Sequence, residues 1–150
     1  MKRTTLKKIQ NKKNIKKIIC LTAATASIAA IIDKYVDIIL IGDSLGMTIY
    51  GMKNTQSVTL QMMKQHGRAV LSSSKKAYTV IDMPYNTYNN KKDALNNARK
   101  LIDFSKCQSI KLEIDQKKLE IISHLSKNKI KVISHIGVTP QNYKNFNKIR

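Results

Sequence analysis

The sequence predicts an α/β fold with parallel strands, and three observations support this prediction. Short runs rich in Ile and Val recur along the chain and are too short for ordinary helices. Segments with apolar residues at helical spacing lie between these runs. Strands that alternate with helices require crossover connections, which make neighbouring strands parallel. A chain of 150 residues is long enough for one domain, expected over residues 1–150.

Five strands and four main helices are predicted. The strands are expected at 18–22, 37–41, 78–81, 109–112 and 131–134. The helices are expected at 27–35, after a cap at Thr59, from Asp93 onward, and at 117–127.

The first 30 residues have two possible interpretations. Residues 1–17 carry eight basic side chains and no acid, and residues 18–30 are small and apolar, as in a secretory signal. The alternative is a basic leading helix followed by a short strand within 17–23. No run reaches the roughly 18 apolar residues of a membrane span, so no membrane association is expected.

The chain is strongly basic, with 28 Lys and Arg against nine Asp and Glu and a formal charge of +19. Such a charge suggests a nucleic acid or an anionic surface as the partner. Only four of the bases are Arg, however, and the chain has no Trp and two Phe, which is atypical of nucleic-acid readers. Binding to nucleic acid is therefore kept as an alternative only. Two distant cysteines fit a reduced, cytoplasmic setting.

Three of the nine acids end consecutive predicted strands. Asp43, Asp82 and Glu113 each follow a run of apolar strand residues. Because the carboxyl ends of neighbouring parallel strands meet at one mouth, the three side chains are expected to converge there. Carboxylates gathered in this way suit Mg²⁺, and Lys111 lies on the same strand face as Glu113. The alternative is that the two aspartates cap helices and Glu113 is a solvated loop residue.

Several motifs occur in an order that is familiar from a known family. They are GDSLGM at 42–47, HGRAV at 66–70, DMPY at 82–85, KLE at 111–113 and HIGVTPQ at 135–141. With LTA at 21–23 near the start, this series resembles the N-terminal portion of the ketopantoate hydroxymethyltransferase (3-methyl-2-oxobutanoate hydroxymethyltransferase) family. The resemblance favours the strand over the signal peptide in the first 30 residues.

The resemblance implies a fold and an activity. The family fold is a (βα)₈ TIM barrel, here truncated to roughly its first five βα units. The implied reaction belongs to pantothenate biosynthesis in the cytoplasm: Mg²⁺-dependent transfer of a hydroxymethyl group from 5,10-methylenetetrahydrofolate to 3-methyl-2-oxobutanoate, which gives 2-dehydropantoate. The expected partners are the α-keto acid, the folate and further copies of the chain, since the family forms decamers.

The resemblance also assigns roles to individual residues. Asp43, Ser44, Asp82 and Lys111 are expected to bind the substrate. Asp43 and Asp82, with Glu113 as a third acid, are expected to hold the metal. His135 is expected to have a supporting role at the mouth. The family's general base is a glutamate with no counterpart in this chain, so no catalytic base is assigned.

The chain departs from the family pattern at three places. Ala24-Thr25 stands where the family has Tyr-Asp, Gln56-Ser57 where it has Leu-Pro, and Ile114-Asp115 where it has glycines. These departures and the short chain leave a non-catalytic remnant as a further alternative. His66 is expected to be an ordinary helix residue.

Overall fold

The computed structural model describes residues 3–115 and 118–144. Within them, one parallel sheet contains all five predicted strands in the order β1-β2-β3-β4-β5. The strands are β1 (Cys20–Thr22), β2 (Ile38–Ile41), β3 (Tyr78–Asp82), β4 (Ser109–Glu113) and β5 (Val132–His135). The strand predictions are confirmed to within two residues at each end.

Six α-helices connect or precede the strands in the described ranges. They are α1 (Leu6–Gln10), α2 (Ala26–Ile32), α3 (Leu45–Thr48), α4 (Leu60–Ser73), α5 (Lys91–Ser105) and α6 (Leu119–Lys127), with 3₁₀ turns at Thr55–Ser57 and Pro140–Asn142. The leading helix and following strand match the second interpretation of the N-terminus. No helix of the described residues is long and apolar enough to cross a membrane.

Capping side chains set the helix starts. Thr59 accepts a hydrogen bond from the Met62 backbone N–H, as predicted. The predicted start of α5 at Asp93 is wrong, because Asn90 is the cap and accepts from the Asp93 N–H, so that the helix begins at Lys91. Position 117 of the last predicted helix lies outside the described residues.

The outer face of the sheet forms the main core with the helices. Ile39, Ile41, Ile81 and Ile110 are fully buried there. Helix α4 approaches the sheet closely at Gly67, where an added Cβ would lie 2.7 Å from Ile81 Cδ1. Glycine at this position therefore fixes how near α4 lies to β3.

The inner face of the sheet is covered at its amino end by α1. Ile9 of this helix packs against Tyr78 and Val80 of β3 in a second, smaller apolar cluster. The carboxyl ends of the strands lie at the opposite end of this face, beyond the cover that α1 provides. The inner face is therefore apolar at one end and polar at the other.

Candidate active site

Three acids lie together at the carboxyl ends of β2, β3 and β4. Asp82 and Glu113 are the last residues of their strands, and Asp43 follows β2 by two residues. Asp43 is 5 % exposed and the other two are 3 % exposed. The predicted convergence of these acids on one end of the sheet is what the structure shows, and none of the three is a solvated loop acid.

Asp43 and Asp82 are in direct contact. The backbone N–H of Asp43 donates a 3.1 Å hydrogen bond to Asp82 Oδ2. Burial and the neighbouring Asp82 charge raise the pKa of Asp43 to about 6. Burial also raises the pKa of Asp82, although Lys111 and the hydrogen bond from Asp43 oppose this effect. Two buried carboxylates, one of which raises the pKa of the other, favour a bound cation or a retained proton.

Lys111 supplies one positive charge to this pair. Its Nζ lies 2.7 Å from Asp82 Oδ1, and the two residues are paired in the register of β3 and β4. Asp82 Oδ1 accepts no hydrogen bond of regular geometry from the described residues, so the ion pair is its main stabilising contact. The sequence predicted Lys111 beside Glu113, whereas its ion pair is with Asp82.

Gln141 connects the acids to one another. Its Nε2 donates to Asp43 Oδ2 at 2.6 Å and to the Met83 carbonyl at 2.9 Å. Its backbone N–H donates to Glu113 Oε2 at 3.0 Å. Its own Oε1 accepts a hydrogen bond from the Tyr88 hydroxyl. Gln141 is 3 % exposed and therefore lies between Asp43 and Glu113 inside the site.

Glu113 and His135 are neighbours on β4 and β5. They are paired in register, and His135 Nδ1 lies 3.8 Å from Glu113 Oε1. Burial raises the pKa of Glu113 to about 7, and the Asp43 charge adds to the increase. Burial and the charge of Lys111 lower the pKa of His135. The pairing with Glu113 places His135 at the mouth. The raised pKa of Glu113 and the lowered pKa of His135 favour a proton on Glu113 in this pair.

Ser44 lies at the entrance beside the acids and is exposed. Within the described part of the chain, its side chain makes no capping hydrogen bond to α3, so the hydroxyl can face a ligand. It lines a cavity of about 340 Å³, together with Thr22 at the end of β1, residues 23–25 of the β1–α2 loop and residues of α3. We call this space the Ser44 cavity.

The oxygen donors at this mouth are of the type that Mg²⁺ prefers. Magnesium is commonly held by one or two carboxylates and retains several waters, so the contacting pair Asp43 and Asp82 fits it. The described residues contain no group of three acids, histidines or cysteines close enough to hold one ion. Gln141 separates Glu113 from the pair, and the role of Glu113 as a third ligand stays a prediction.

The sequence missed two residues of the site. Gln141 and Tyr88 received no role, although Gln141 ends the HIGVTPQ motif at 135–141, which was the only available signal. The sequence also treated His66 as an ordinary helix residue. In the structure its ring contacts two other segments, Nδ1 lying 2.6 Å from the Ala24 carbonyl and Nε2 lying 2.8 Å from the Tyr50 hydroxyl.

Solved structures show the same fold. Two crystal forms of 2,3-dimethylmalate lyase, a member of the PEP mutase/isocitrate lyase superfamily, superpose with a TM-score of 0.62 at 13% identity. The trigonal form is covered over 51% of its length and this chain over 89%. The predicted fold class is confirmed: the described residues form the five-stranded parallel α/β part of a TIM-barrel fold.

Curated relatives share much higher identity. A 3-methyl-2-oxobutanoate hydroxymethyltransferase of Pelagibacter ubique (strain HTCC1062) is 51% identical in an alignment over 143 residues that covers 93% of this chain and 56% of the relative. The enzymes of that name from Rhizobium etli and Anaplasma marginale (strain St. Maries) are 43% and 44% identical, over 93% and 90% of this chain and 52% and 49% of their own lengths. The chain thus spans about half the length of these relatives.

A family model agrees with the pairwise comparisons. The model described as ketopantoate hydroxymethyltransferase matches residues 3–150. This match covers nearly the whole sequence and includes every strand-end acid of the site. The chain belongs to the ketopantoate hydroxymethyltransferase family.

Proposed function

We propose that this chain carries the keto-acid- and metal-binding part of a 3-methyl-2-oxobutanoate hydroxymethyltransferase of pantothenate biosynthesis. The reaction would transfer a hydroxymethyl group from 5,10-methylenetetrahydrofolate to 3-methyl-2-oxobutanoate and give 2-dehydropantoate. The observation that carries the proposal is the buried cluster in which Asp43 contacts Asp82 and Asp82 is paired with Lys111. A cytoplasmic location and assembly into a homo-oligomer belong to the same proposal, which the family resemblance supports.

The site has groups for each polar end of an α-keto acid. Asp43 and Asp82 would hold Mg²⁺, which when bound polarises the keto group and favours loss of a proton from the adjacent carbon. The exposed hydroxyl of Ser44 can donate to the substrate carboxylate. Lys111 places a fixed positive charge beside Asp82, where negative charge on the substrate is stabilised.

Gln141 and Glu113 complete the polar lining. Gln141 holds Asp43 with its side chain and Glu113 with its backbone, so it fixes the orientation of both carboxylates. Glu113, with a pKa of about 7, retains a proton over part of the neutral range and thereby limits repulsion among the acids.

Calorimetric titration tests this proposal. The full chain is titrated with 3-methyl-2-oxobutanoate in the presence of Mg²⁺ or EDTA, and with 3-methylbutanoate, which lacks the keto oxygen. We expect binding of the keto acid only with Mg²⁺, at least tenfold weaker binding in Asp43→Ala and Asp82→Ala, and no binding of 3-methylbutanoate.

Asp103→Ala is the matched control, because Asp103 is an exposed acid on α5, away from the strand ends. Thermal unfolding of each variant confirms that it is folded. Equal affinity in wild type, Asp43→Ala and Asp82→Ala would refute the proposal. Binding to DNA that is indifferent to Asp43 and lost on removal of residues 1–17 would instead support the nucleic-acid alternative.

A further inference from the structure

The His66 ring connects three segments of the chain. Its Nδ1 lies 2.6 Å from the carbonyl oxygen of Ala24, in the β1–α2 loop. Its Nε2 lies 2.8 Å from the hydroxyl of Tyr50, just after α3. A carbonyl oxygen only accepts, so Nδ1 carries the proton in the neutral ring, and Tyr50 donates to Nε2. Both polar atoms of the ring are therefore used, and the tautomer is fixed by its partners.

These two partners belong to two segments that line the Ser44 cavity, the β1–α2 loop and the end of α3, which we call its two walls. Ala24 itself lines the cavity, and Tyr50 directly follows Ile49, which lines it from the end of α3. The Tyr50 ring also packs edge to face on the His66 ring, with centroids 5.6 Å apart. One side chain of α4 thus contacts the segments that carry both walls.

The backbone that carries His66 is itself held in place. The next residue, Gly67, lies so close to the sheet that an added Cβ would be 2.8 Å from Ser105 Cβ as well as 2.7 Å from Ile81 Cδ1. Helix α4 cannot move toward or away from β3 without loss of this packing. His66 therefore projects from a closely packed helix toward both segments.

We propose that His66 is a positioning residue that sets the spacing between the two walls of the Ser44 cavity and thereby the space next to Ser44 in which the keto acid binds. The inference rests on the proposed function in so far as it names the keto acid. Among the residues that the structure describes, no charged side chain lines the cavity, and its walls carry hydroxyl, methyl and aliphatic groups. The space therefore suits an uncharged, branched aliphatic portion of a reactant.

Nuclear magnetic resonance tests the geometry without any ligand. The chain has three histidines, so the ring nitrogens of His66 can be assigned by comparison with His66→Leu. At neutral pH we expect the Nδ1–H tautomer for His66, and amide shifts at residues 24, 25 and 50 in Tyr50→Phe. The Nε2–H tautomer would overturn the proposal whether or not the chain binds the keto acid.

Titration with Mg²⁺ and 3-methyl-2-oxobutanoate tests the consequence for binding. We expect the Kd to rise about tenfold in His66→Leu and to be largely restored in His66→Asn, whose amide N–H can still donate to the Ala24 carbonyl. Gln65→Leu, at an exposed position on the same helix, is the matched control and should bind like the wild type.

The possible results separate the two proposals. If His66→Leu binds the keto acid with the same Kd as the wild type, the positioning role is overturned. This holds even if the thermal midpoint of His66→Leu falls, because an unchanged Kd with lower stability indicates a purely structural contact. Absence of binding by the wild type would refute the proposed function, and the tautomer and amide shifts would then decide the positioning role alone.

Discussion

The side-chain amide of Gln141 donates a 2.6 Å hydrogen bond to Asp43, a residue 98 positions earlier in the chain. The backbone N–H of the same residue donates to Glu113. Asp43 and Glu113 are thus connected through one neutral side chain and its backbone, with no basic residue between them in these contacts. Three predictions concern this site, and a fourth concerns Asp33, which accepts hydrogen bonds from the segment before β3.

Gln141→Ala should destabilise the chain by about 2 kcal/mol, because it leaves the buried Asp43 and Tyr88 without their partner. The measurement is urea unfolding in EDTA. Asn142→Ala is the matched control, since Asn142 is exposed in the same 3₁₀ turn and, among residues 3–115 and 118–144, its side chain bonds only to nearby Thr139. Equal free energies of unfolding for Gln141→Ala and Asn142→Ala would contradict the prediction.

Lys111→Met should destabilise the chain by about 3 kcal/mol, because Asp82 would remain buried without its cation. The double variant Lys111→Met/Asp82→Asn removes both charges and should recover most of this loss. Urea unfolding of the wild type, both single variants and the double variant gives the coupling energy. Additive effects of the two substitutions would show that the ion pair contributes little.

Glu113 should make the metal-free chain less stable as the pH rises. Its pKa increases from an ordinary 4.5 to about 7 on folding, so the folded state retains the proton more strongly than the unfolded state. Stability from this group therefore falls between about pH 4.5 and 7 and stays low above that range.

Glu113→Gln should remove this loss of stability. At pH 8 its free energy of unfolding should exceed that of the wild type by about 1 kcal/mol, a small difference because water at the mouth screens part of the repulsion among the acids. The two proteins should be closest in stability at pH 4.5. Thermal unfolding in EDTA across this range is the measurement, with exposed Glu120→Gln as the control. An increase in the stability of the wild type relative to Glu113→Gln as the pH rises would contradict the predicted direction of the pH dependence.

Asp33 should have the opposite pH dependence. Its carboxylate accepts hydrogen bonds from the Ser74 hydroxyl and from the backbone N–H groups of Lys75, Lys76 and Ala77. Burial alone would raise the pKa of Asp33, but these four bonds lower it below 3.8. The stabilisation is therefore complete above about pH 4 and is lost as the pH falls through the lowered pKa.

Asp33→Asn should destabilise the chain by about 3 kcal/mol at pH 7, because the amide oxygen cannot accept all four bonds. The difference in the free energy of unfolding between Asp33→Asn and the wild type should become smaller below pH 3. Urea unfolding at pH 7, 5, 3 and 2 measures this difference in the free energy of unfolding, with exposed Asp103→Asn as the control. A difference that is constant over this range would show that the charge of Asp33 is not stabilising.

The sequence predicted the parts of the fold that depend on local pattern. The apolar strand runs and the acids that end them are contiguous in the chain, so both the sheet and the convergence of Asp43, Asp82 and Glu113 could be inferred from spacing. The start of α5 was misplaced by two residues because Asn90 and Asp93 are both good caps, and their mutual hydrogen bonds are visible only in three dimensions.

The missed site residues depend on contacts between distant segments. Gln141 reaches Asp43 only because a 3₁₀ turn after β5 lies over the ends of β2 and β4. His66 looks like any polar position of an amphipathic helix until the β1–α2 loop is placed beside it. Neither arrangement leaves a periodic or compositional trace in the sequence.

The order of the strands has a consequence for how the chain is made. Each strand pairs with the one that precedes it in sequence, so a nascent polypeptide can add one βα unit at a time to a sheet that already exists. Asp43, Asp82 and Glu113 would then become neighbours in the order of their synthesis. The hydrogen bonds from Gln141 to Asp43 and Glu113 can form only after β5 has left the ribosome. At earlier stages of translation the acids would therefore be neighbours without these hydrogen bonds.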